Sequence, residues 1–526
     1  MSKVLVSDPI AQEGINKLKE GAEVVVKTGL PPAELIEIIP EFEGLVVRSE
    51  TKVTSDVLHA ARNLKVVARA GVGVDNIDVA VATERGVLVV NSPEGNTIAA
   101  AEHTIALMLS MSRNIPTAHA SLTQGEWKRS KFVGVEVYGK TLGVIGLGKI
   151  GREVAKRARG LEMQVLGVDP FISPEQAERL GIQLTEMEEL IAKSDYITVH
   201  VPMTRETRGL LNRDRFAKMK RGVRIINCAR GGIVSQEDLA QALKDGVVAG
   251  AALDVFEQEP LDPNSPLLGL PNLVLTPHLG ASTREAQIGV AMDVAEQVLD
   301  VLAGKTARSA VNLPFVNPEV MSVLQPFMFL AEKMGRFHQQ QAEGRITSVD
   351  VVYRGDLADM EVSPISRALL KGLLQPLLSD TVTFVNAPLL AEGRGIRVVE
   401  SKTPHCEDYT HLIEVSVKST KGTVTTTGTL FGKHDVRIVG VDGFRVDVEP
   451  RGYAIVSRHI DTPGIVGRVG TALGKSGVNI AGMHLGRSEP GKLAVMLMNV
   501  DQPIPDALLD EIAQMEGVSN ARLVEF

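Results

Sequence analysis

Thr141-Leu-Gly-Val-Ile-Gly146-Leu-Gly148-Lys-Ile-Gly151-Arg-Glu-Val-Ala-Lys-Arg-Ala-Arg159 is the stretch on which the fold turns. An apolar run, Thr141–Ile145, reads as a buried strand, and a helical pattern covers Arg152–Arg159. Between them stand three glycines spaced G-x-G-x-x-G. A bare triplet is weak evidence in a chain with 49 glycines. Its place between strand and helix gives it force. The first glycine permits a tight turn, the second lets backbone approach a pyrophosphate, and the third lets helix pack on strand. The free N–H groups and positive dipole end of the helix favour an anion. The next strand, Gln164–Val168, ends in Asp169, whose carboxylate would accept hydrogen bonds from a ribose and repel a 2′-phosphate. NAD is therefore expected over NADP.

Outward from this stretch, strands are expected at Tyr196–Val199, Arg224–Ile226, Gly250–Leu253 and Leu273–Leu275. On the N-terminal side, Lys3–Val6, Ala22–Val26, Gly44–Val47, Lys65–Ala68 and Val87–Val90 alternate with helical segments. Such alternation implies parallel sheets with right-handed crossovers. Long helices are expected at Ile98–Arg113 and Ser282–Ala303, with an exit strand at Val311–Leu313. The second helix could return to the first domain, making it discontinuous. The texture then changes: residues 315–450 show one apolar helix, Ile365–Leu378, and alternating strands, with Asp442-Gly443 as a hairpin turn. Residues 452–526 read strand–helix–strand–strand–helix–strand, the ferredoxin-like order.

At 526 residues, 44% hydrophobic and 23% charged, the chain has material for several cores. A net charge of −8 with no basic block leaves no footprint for nucleic acid or an anionic membrane. Two cysteines, Cys228 and Cys406, build no disulfide framework and favour a reducing cytoplasm. The N-terminus lacks a signal-peptide core, and no apolar run is long enough to span a membrane.

Ligands of doubly wound sheets bind beyond the carboxyl ends of the strands. Three strand ends there carry polar groups that a core does not need: Arg230, then Asp254 and Glu259, then His278. Beside a nicotinamide, these suit oxidation of a 2-hydroxy acid. The planar guanidinium of Arg230 fits a carboxylate and C2 oxygen. His278 can accept the hydroxyl proton, and Glu259 can orient its ring.

These segments resemble the D-isomer-specific 2-hydroxyacid dehydrogenases over nearly all of residues 1–313. The likeness rests on Gly71-Val-Gly-Val-Asp-Asn-Ile-Asp, Asn91-Ser-Pro-Glu-Gly-Asn-Thr, Gly146–Gly151, Asn227-Cys-Ala-Arg-Gly-Gly, Leu253-Asp-Val-Phe and Pro277-His-Leu-Gly-Ala. Val47-Arg48-Ser, Ala68-Arg69-Ala-Gly, Lys131-Phe-Val-Gly and the tail resemble the long members that oxidise 3-phosphoglycerate to 3-phosphohydroxypyruvate with NAD, opening serine biosynthesis. The resemblance implies an α/β chain of four parts. These are a flavodoxin-like substrate domain (1–97 plus 287–313), a Rossmann NAD domain (98–286), an α+β intervening domain (315–450) and a ferredoxin-like ACT regulatory domain (452–526).

By the same resemblance, Arg230, Glu259 and His278 are catalytic. NAD contacts fall to Gly146, Gly148, Lys149, Ile150, Gly151, Asp169, Val201, Cys228, Ala229, Arg230, Asp254, His278, Gly280 and Ala281. Substrate contacts fall to Arg48, Arg69, Val72, Gly73, Asn96 and Arg230, with Arg129 and Lys131 reaching a neighbouring subunit's site. Val72 stands where some relatives carry threonine, so no side-chain hydrogen bond is available there. His459, Asp461, Gly464 and Asn479 resemble serine-binding positions of ACT domains. Asp461 equally suits a helix cap. No metal is expected. Helix Ile98–Arg113 and the region to Trp127 resemble a dimerisation segment, so a homo-oligomer, dimer or tetramer, is expected. The rivals are a dehydrogenase of an unphosphorylated hydroxy acid such as glycerate or lactate, in which Arg48 and Arg69 would be idle, and a corepressor on the same fold.

Overall fold

The computed structural model describes residues 1–314, 316–378 and 381–526. Phe315, where the third part is expected to open, lies outside them. Strands β1 (Lys3–Val6), β2 (Glu23–Val26), β3 (Gly44–Val47), β4 (Val66–Arg69) and β5 (Leu88–Asn91) form a parallel sheet in the order β2-β1-β3-β4-β5. That is the flavodoxin-like order. Its central strands are valine- and leucine-rich with both faces buried, as a helix-covered parallel sheet requires.

Strands β6 (Thr141–Ile145), β7 (Gln164–Val168), β8 (Gln183–Leu184), β9 (Tyr196–Val199), β10 (Val223–Asn227), β11 (Val248–Leu253) and β12 (Leu273–Leu275) form a second parallel sheet, ordered β12-β11-β10-β9-β6-β7-β8. The order reverses between β6 and β9, so the glycine loop after β6 sits at the switch point where dinucleotides bind. The two-residue β8 is too short to show in the sequence pattern. The helix after β6 begins at Lys149, three residues ahead of the expected start.

Two crossings join these units. The first is the segment Ser92–Asn96, leading into helix Thr97–Ser112, and the second leads into helix Arg284–Leu302, capped by the Thr283 side chain. The latter helix packs on helix Gln12–Lys19 and on β3 and β4. There Gly14 leaves no room for a Cβ, which would stand 2.7 Å from that of Ala291. The expected exit strand at Val311–Leu313 does not form: pairing is limited to a bridge between Val90 and Ala310. Instead Asn312 ties the exit to β5 by accepting from the Val89 N–H and donating to the Val87 carbonyl.

The third part is a mixed six-stranded sheet of β13 (Ile346–Gly355), β14 (Arg397–Thr403), β15 (His411–Ser419), β16 (Thr423–Phe431), β17 (Asp435–Val441) and β18 (Phe444–Val448), ordered β14-β13-β15-β16-β17-β18. Two long helices and a short one, Ala387–Gly393, accompany it. Ser363–Leu374 is shorter than expected at its C-terminal end, where Pro376 turns the chain into a 3-10 segment. Pro318–Gln341 is absent from the sequence reading, because Pro326 inside it breaks the apolar period. The last four strands, β19 (Tyr453–Ile460), β20 (Ile480–Arg487), β21 (Leu493–Val500) and β22 (Val518–Glu525), form an antiparallel sheet ordered β20-β21-β19-β22, with helices Ile465–Lys475 and Asp506–Ala513. Among the described residues no helix is long and apolar enough to cross a membrane.

Candidate functional site

The glycine loop is shaped as its spacing requires. Gly146 has φ +94°, and a Cβ on Gly151 would run into the Gly146 carbonyl oxygen, so helix and strand can meet only through glycine. Gly148 faces open space. Asp169 braces the loop: its carboxylate accepts from the Leu147 N–H at 2.7 Å and the Phe171 N–H at 2.8 Å. Val201 packs against Gly146. Nearby, Asn96 Oδ1 and Thr97 Oγ1 are buried with no hydrogen-bond partner among the described residues. Open backbone at a helix N-terminus, flanked by an acid and unpartnered polar atoms, fits a dinucleotide. Lys149 spans the cleft to Glu94 of the first unit at 2.5 Å.

Adjacent strand ends carry the candidate reacting groups. At the end of β10, the Asn227 side chain holds the next turn by donating to the Arg230 carbonyl and accepting from the Ala229 N–H. A Cβ on Gly231 would run into the Phe256 carbonyl oxygen, which locks this turn against the one after β11. Within that second turn the Phe256 N–H donates to Glu259 Oε1 at 3.0 Å. Glu259 Oε2 stands 2.7 Å from His278 Nδ1. Burial pushes the Glu259 carboxyl upward, but its bonds from His278 and Phe256 outweigh this and hold it below the usual range. His278 remains 45% exposed, open to the cleft.

His278 has φ +55°, a left-handed conformation costly for a non-glycine residue. Asp254, fully buried, fixes it. Its backbone carbonyl accepts from the His278 N–H at 2.9 Å, while its carboxylate takes the N–H groups of Leu279 at 2.7 Å and Gly280 at 2.8 Å. Thr276 donates to the same carboxylate at 2.6 Å, and His103 Nε2 lies 3.2 Å from it. Burial opposes ionisation of Asp254, yet these donors, His103 first, keep it below the ordinary value. His103, on helix Thr97–Ser112, escaped the sequence reading. A histidine on an alanine-rich helix face gives no local sign of a partner 151 residues away. Cys228 is half-buried beside Thr104, with desolvation pushing its thiol up to about 12, so it serves as packing rather than as a nucleophile.

The first unit faces these groups with two more arginines. Arg69 donates to Asn76 at 3.1 Å, and Asn76 donates to the carbonyls of Arg48 and Thr51, tying the ends of β3 and β4 together. Asp8, buried after β1, accepts from the N–H groups of Arg48 and Thr51. Neither Asn76 nor Asp8 was singled out in the sequence. The Arg69 guanidinium is pulled down to about 10, first by burial and then by the positive charge of Arg230, with Arg48 adding to it and Asp75 opposing. Three cations from two units therefore share one field. Arg230 Nε bonds Asp75 at 3.2 Å across the cleft, and Gly73 lies so close to Arg230 that any side chain there would collide with the guanidinium. The Val72 carbonyl is taken by Asn91.

Other expected residues lie apart. Arg129 and Lys131 sit on an exposed 3-10 turn, with Lys131 3.9 Å from Glu126. In the last part, His459 is fully buried in β19, and Asp461 pairs with Arg487 at 2.7 Å. Gly464 precedes helix Ile465–Lys475 at φ +90°. Asn479 bonds Asp501 beyond the far end of the same sheet, since Ile480 pairs with Val500 while Asp461 bonds Lys492. At ~3.3 Å per residue the strand length separates them by roughly 23 Å. Within one chain the four expected serine-site residues are therefore not brought together.

Comparison with known proteins agrees with this architecture. Residues 105–280 match the D-isomer specific 2-hydroxyacid dehydrogenase NAD binding domain, 323–442 the D-3-phosphoglycerate dehydrogenase intervening domain, and 452–517 the ACT domain. A D-3-phosphoglycerate dehydrogenase of Archaeoglobus fulgidus is 49% identical over 99% of this chain and 100% of its own length. That of Bacillus subtilis is 43% identical over the full length of both. Among solved structures, the apo D-lactate dehydrogenase of Escherichia coli is 28% identical with TM-score 0.54, covering 59% of this chain and 99% of its own. The Aquifex aeolicus D-lactate dehydrogenase complexed with NAD and lactic acid is 28% identical with TM-score 0.53, again over 59% of this chain and 99% of its own. The chain belongs to the D-3-phosphoglycerate dehydrogenase family, the long branch of the D-isomer-specific 2-hydroxyacid dehydrogenases.

Proposed function

We propose that this chain oxidises 3-phospho-D-glycerate to 3-phosphohydroxypyruvate with NAD, the opening step of phosphorylated serine biosynthesis. The observation that carries the reading is that the first unit, which holds Arg48 and Arg69 together through Asn76, also reaches Arg230 through Asp75, with the His278–Glu259 pair on a neighbouring strand end. An unphosphorylated hydroxy acid needs one cation for its carboxylate; a substrate with a phosphate as well gives the two arginines of the first unit a purpose.

In this reading residues 1–97 with 287–313 bind substrate. Gly146–Gly151 and Asp169 hold the cofactor, with Val201, Cys228, Ala229, Asp254, Gly280 and Ala281 about its nicotinamide half. NAD, when bound, supplies the hydride acceptor. Arg230 grips the substrate carboxylate and C2 oxygen, displacing Asp75. His278 Nε2 accepts the hydroxyl proton, and the Glu259 carboxylate stabilises the imidazolium through Nδ1. Arg48 and Arg69 take the phosphate, so substrate binding draws the two units together.

The chain is proposed to work as a homo-oligomer. Trp127 and Val133, 76% and 80% exposed, extend an apolar surface from helix Thr97–Ser112 through Ile115 and Leu122. Arg129 and Lys131 border that surface and are placed to reach a second chain's cleft. An L-serine site using Asp461 and Gly464 would need a second chain to supply Asn479. The test is NADH formation, followed by absorbance, with 3-phosphoglycerate, glycerate and lactate. Turnover of glycerate comparable to 3-phosphoglycerate would assign the chain to the rival class.

A further inference from the structure

A cavity of 930 Å³ lies between the first unit and the intervening domain, lined by none of the residues placed at the catalytic cleft. Its walls come from the loops leading into β4 and β5, the end of helix Arg284–Leu302 and the residues after it, and the helices of the intervening domain. The two parts are docked there by side chains: Thr383 donates to the Gly86 carbonyl at 3.1 Å and Asn386 to the Glu84 carbonyl at 3.3 Å. Such a volume suits a small organic molecule.

The lining has an uneven charge. It includes six lysines and arginines against two glutamates among the described residues. The three lysines have carboxylate partners: Lys65 with Glu43, Lys305 with Asp300, Lys371 with Glu332. The three arginines, Arg62, Arg85 and Arg367, have none within ion-pair reach among the described residues. Arg62 and Arg85 are exposed on the rim. Arg367 is partly buried: its Nη1 donates to the carbonyls of Phe384 and Val385, while its Nε is buried without a partner. Opposite these stand apolar groups, with Phe329 45% exposed and Phe384 under the ammonium of Lys371. A planar anion suits arginine forks, and an apolar body suits the aromatic wall.

We infer that this interdomain cavity is a binding site for an amphipathic organic anion, a carboxylate or phosphate ester with an aromatic or branched apolar body, held by Arg62, Arg85 and Arg367. Such a ligand touches both parts at once and strengthens their docking. The inference does not depend on the reaction assigned to the distant cleft.

The test uses the full chain and two probes: 1-anilino-8-naphthalenesulfonate, and N-phenyl-1-naphthylamine, which has the same rings without the anionic group. The sulfonate is expected to saturate one site per chain, raise the melting temperature, and bind at least about tenfold more tightly than the neutral amine. Its affinity is expected to fall by about tenfold in the Arg62→Ser/Arg85→Ser double variant and in Arg367→Met. Should Arg367→Met fail to fold because two carbonyls lose their donor, the surface double variant decides. Equal affinity for both probes, or a sulfonate affinity unchanged in the double variant, overturns the proposal. Displacement of the sulfonate by inorganic phosphate at the same concentration overturns the apolar-body requirement, and with it the ligand class.

Discussion

Replacing Glu259 with glutamine keeps its shape and removes its charge, which isolates what the carboxylate does for His278. Two donors converge on it, the Phe256 N–H on Oε1 and His278 Nδ1 on Oε2. A glutamine has only one oxygen to offer. If that oxygen serves Phe256, the amide N–H₂ faces Nδ1, which must then accept, and the ring proton moves to Nε2. The base is then blocked at the atom that must take the substrate proton. If the oxygen serves His278, the Phe256 N–H is stranded against an N–H₂ group. Either way a charge-assisted bond to the forming imidazolium is lost, worth about 1.5–3 kcal/mol. At about 1.4 kcal/mol per tenfold this predicts kcat reduced on the order of 10–100-fold in Glu259→Gln. KM for 3-phosphoglycerate should hardly move, because none of the three arginines is touched. Steady-state NADH formation gives kcat and KM, and NADH fluorescence gives cofactor affinity. A kcat within threefold or so of the parent, or a loss confined to KM, would refute the orienting role, since uniform binding effects leave kcat unchanged.

The same geometry makes three further expectations. Arg69→Ala should raise KM for 3-phosphoglycerate by about tenfold or more while leaving any slow turnover of glycerate unaltered, a split read in parallel steady-state assays. His103→Leu removes a donor from the Asp254 carboxylate and should lower kcat by about tenfold without changing NADH affinity, with His103→Gln restoring most of it by placing an amide N–H₂ near the lost Nε2–H. Asp254 is held below its ordinary carboxyl value, so the stability it contributes is complete above the unfolded value of about 4 and is lost as pH falls through the folded one. Calorimetry should therefore show Asp254→Asn narrowing its melting-temperature deficit relative to the parent on acidification, and a deficit constant with pH would contradict the ionised assignment.

The sequence showed most clearly what local rules govern. Strands such as Thr141–Ile145, Gln164–Val168 and Tyr453–Ile460 were legible because runs of β-branched and apolar residues end at glycine, proline or acid punctuation. Arg230 and His278 were legible because they stand just beyond such strands, where a core residue would be apolar, and Glu259 because it lies on the turn that follows Asp254 at the end of β11. Helix Pro318–Gln341 was hidden by its own Pro326, which a long helix can absorb when packing against the Ser363–Leu374 helix and β16 compensates. Asp8, Asn76 and His103 were hidden for another reason: each acts on a partner distant in sequence and has no pattern of its own. Asn479 lies apart from Asp461 within one chain, because likeness to a family motif says which residues serve a site but not whether one chain supplies them all.

The cleft's two halves are built on opposite principles. On the cofactor side, His278 occupies a left-handed conformation costing on the order of 1–3 kcal/mol. Three backbone N–H groups committed to Asp254, itself gripped by Thr276 and His103, over-determine that turn. Nothing about the base should change when substrate arrives. On the substrate side, Arg230 rests against an Asp75 carboxylate that is 71% exposed, a pair easily exchanged in water for a ligand carboxylate. Arg69, pulled down to about 10 first by burial and then by Arg230, gains from any anion placed between them. In the proposed reaction the base is fixed in advance, whereas the arginines are left in mutual repulsion that a substrate carrying both a carboxylate and a phosphate relieves. The free energy of binding phosphate and carboxylate together can thus draw the first unit onto a prearranged base, and an uncharged analogue, however well shaped, would not bring the two halves together.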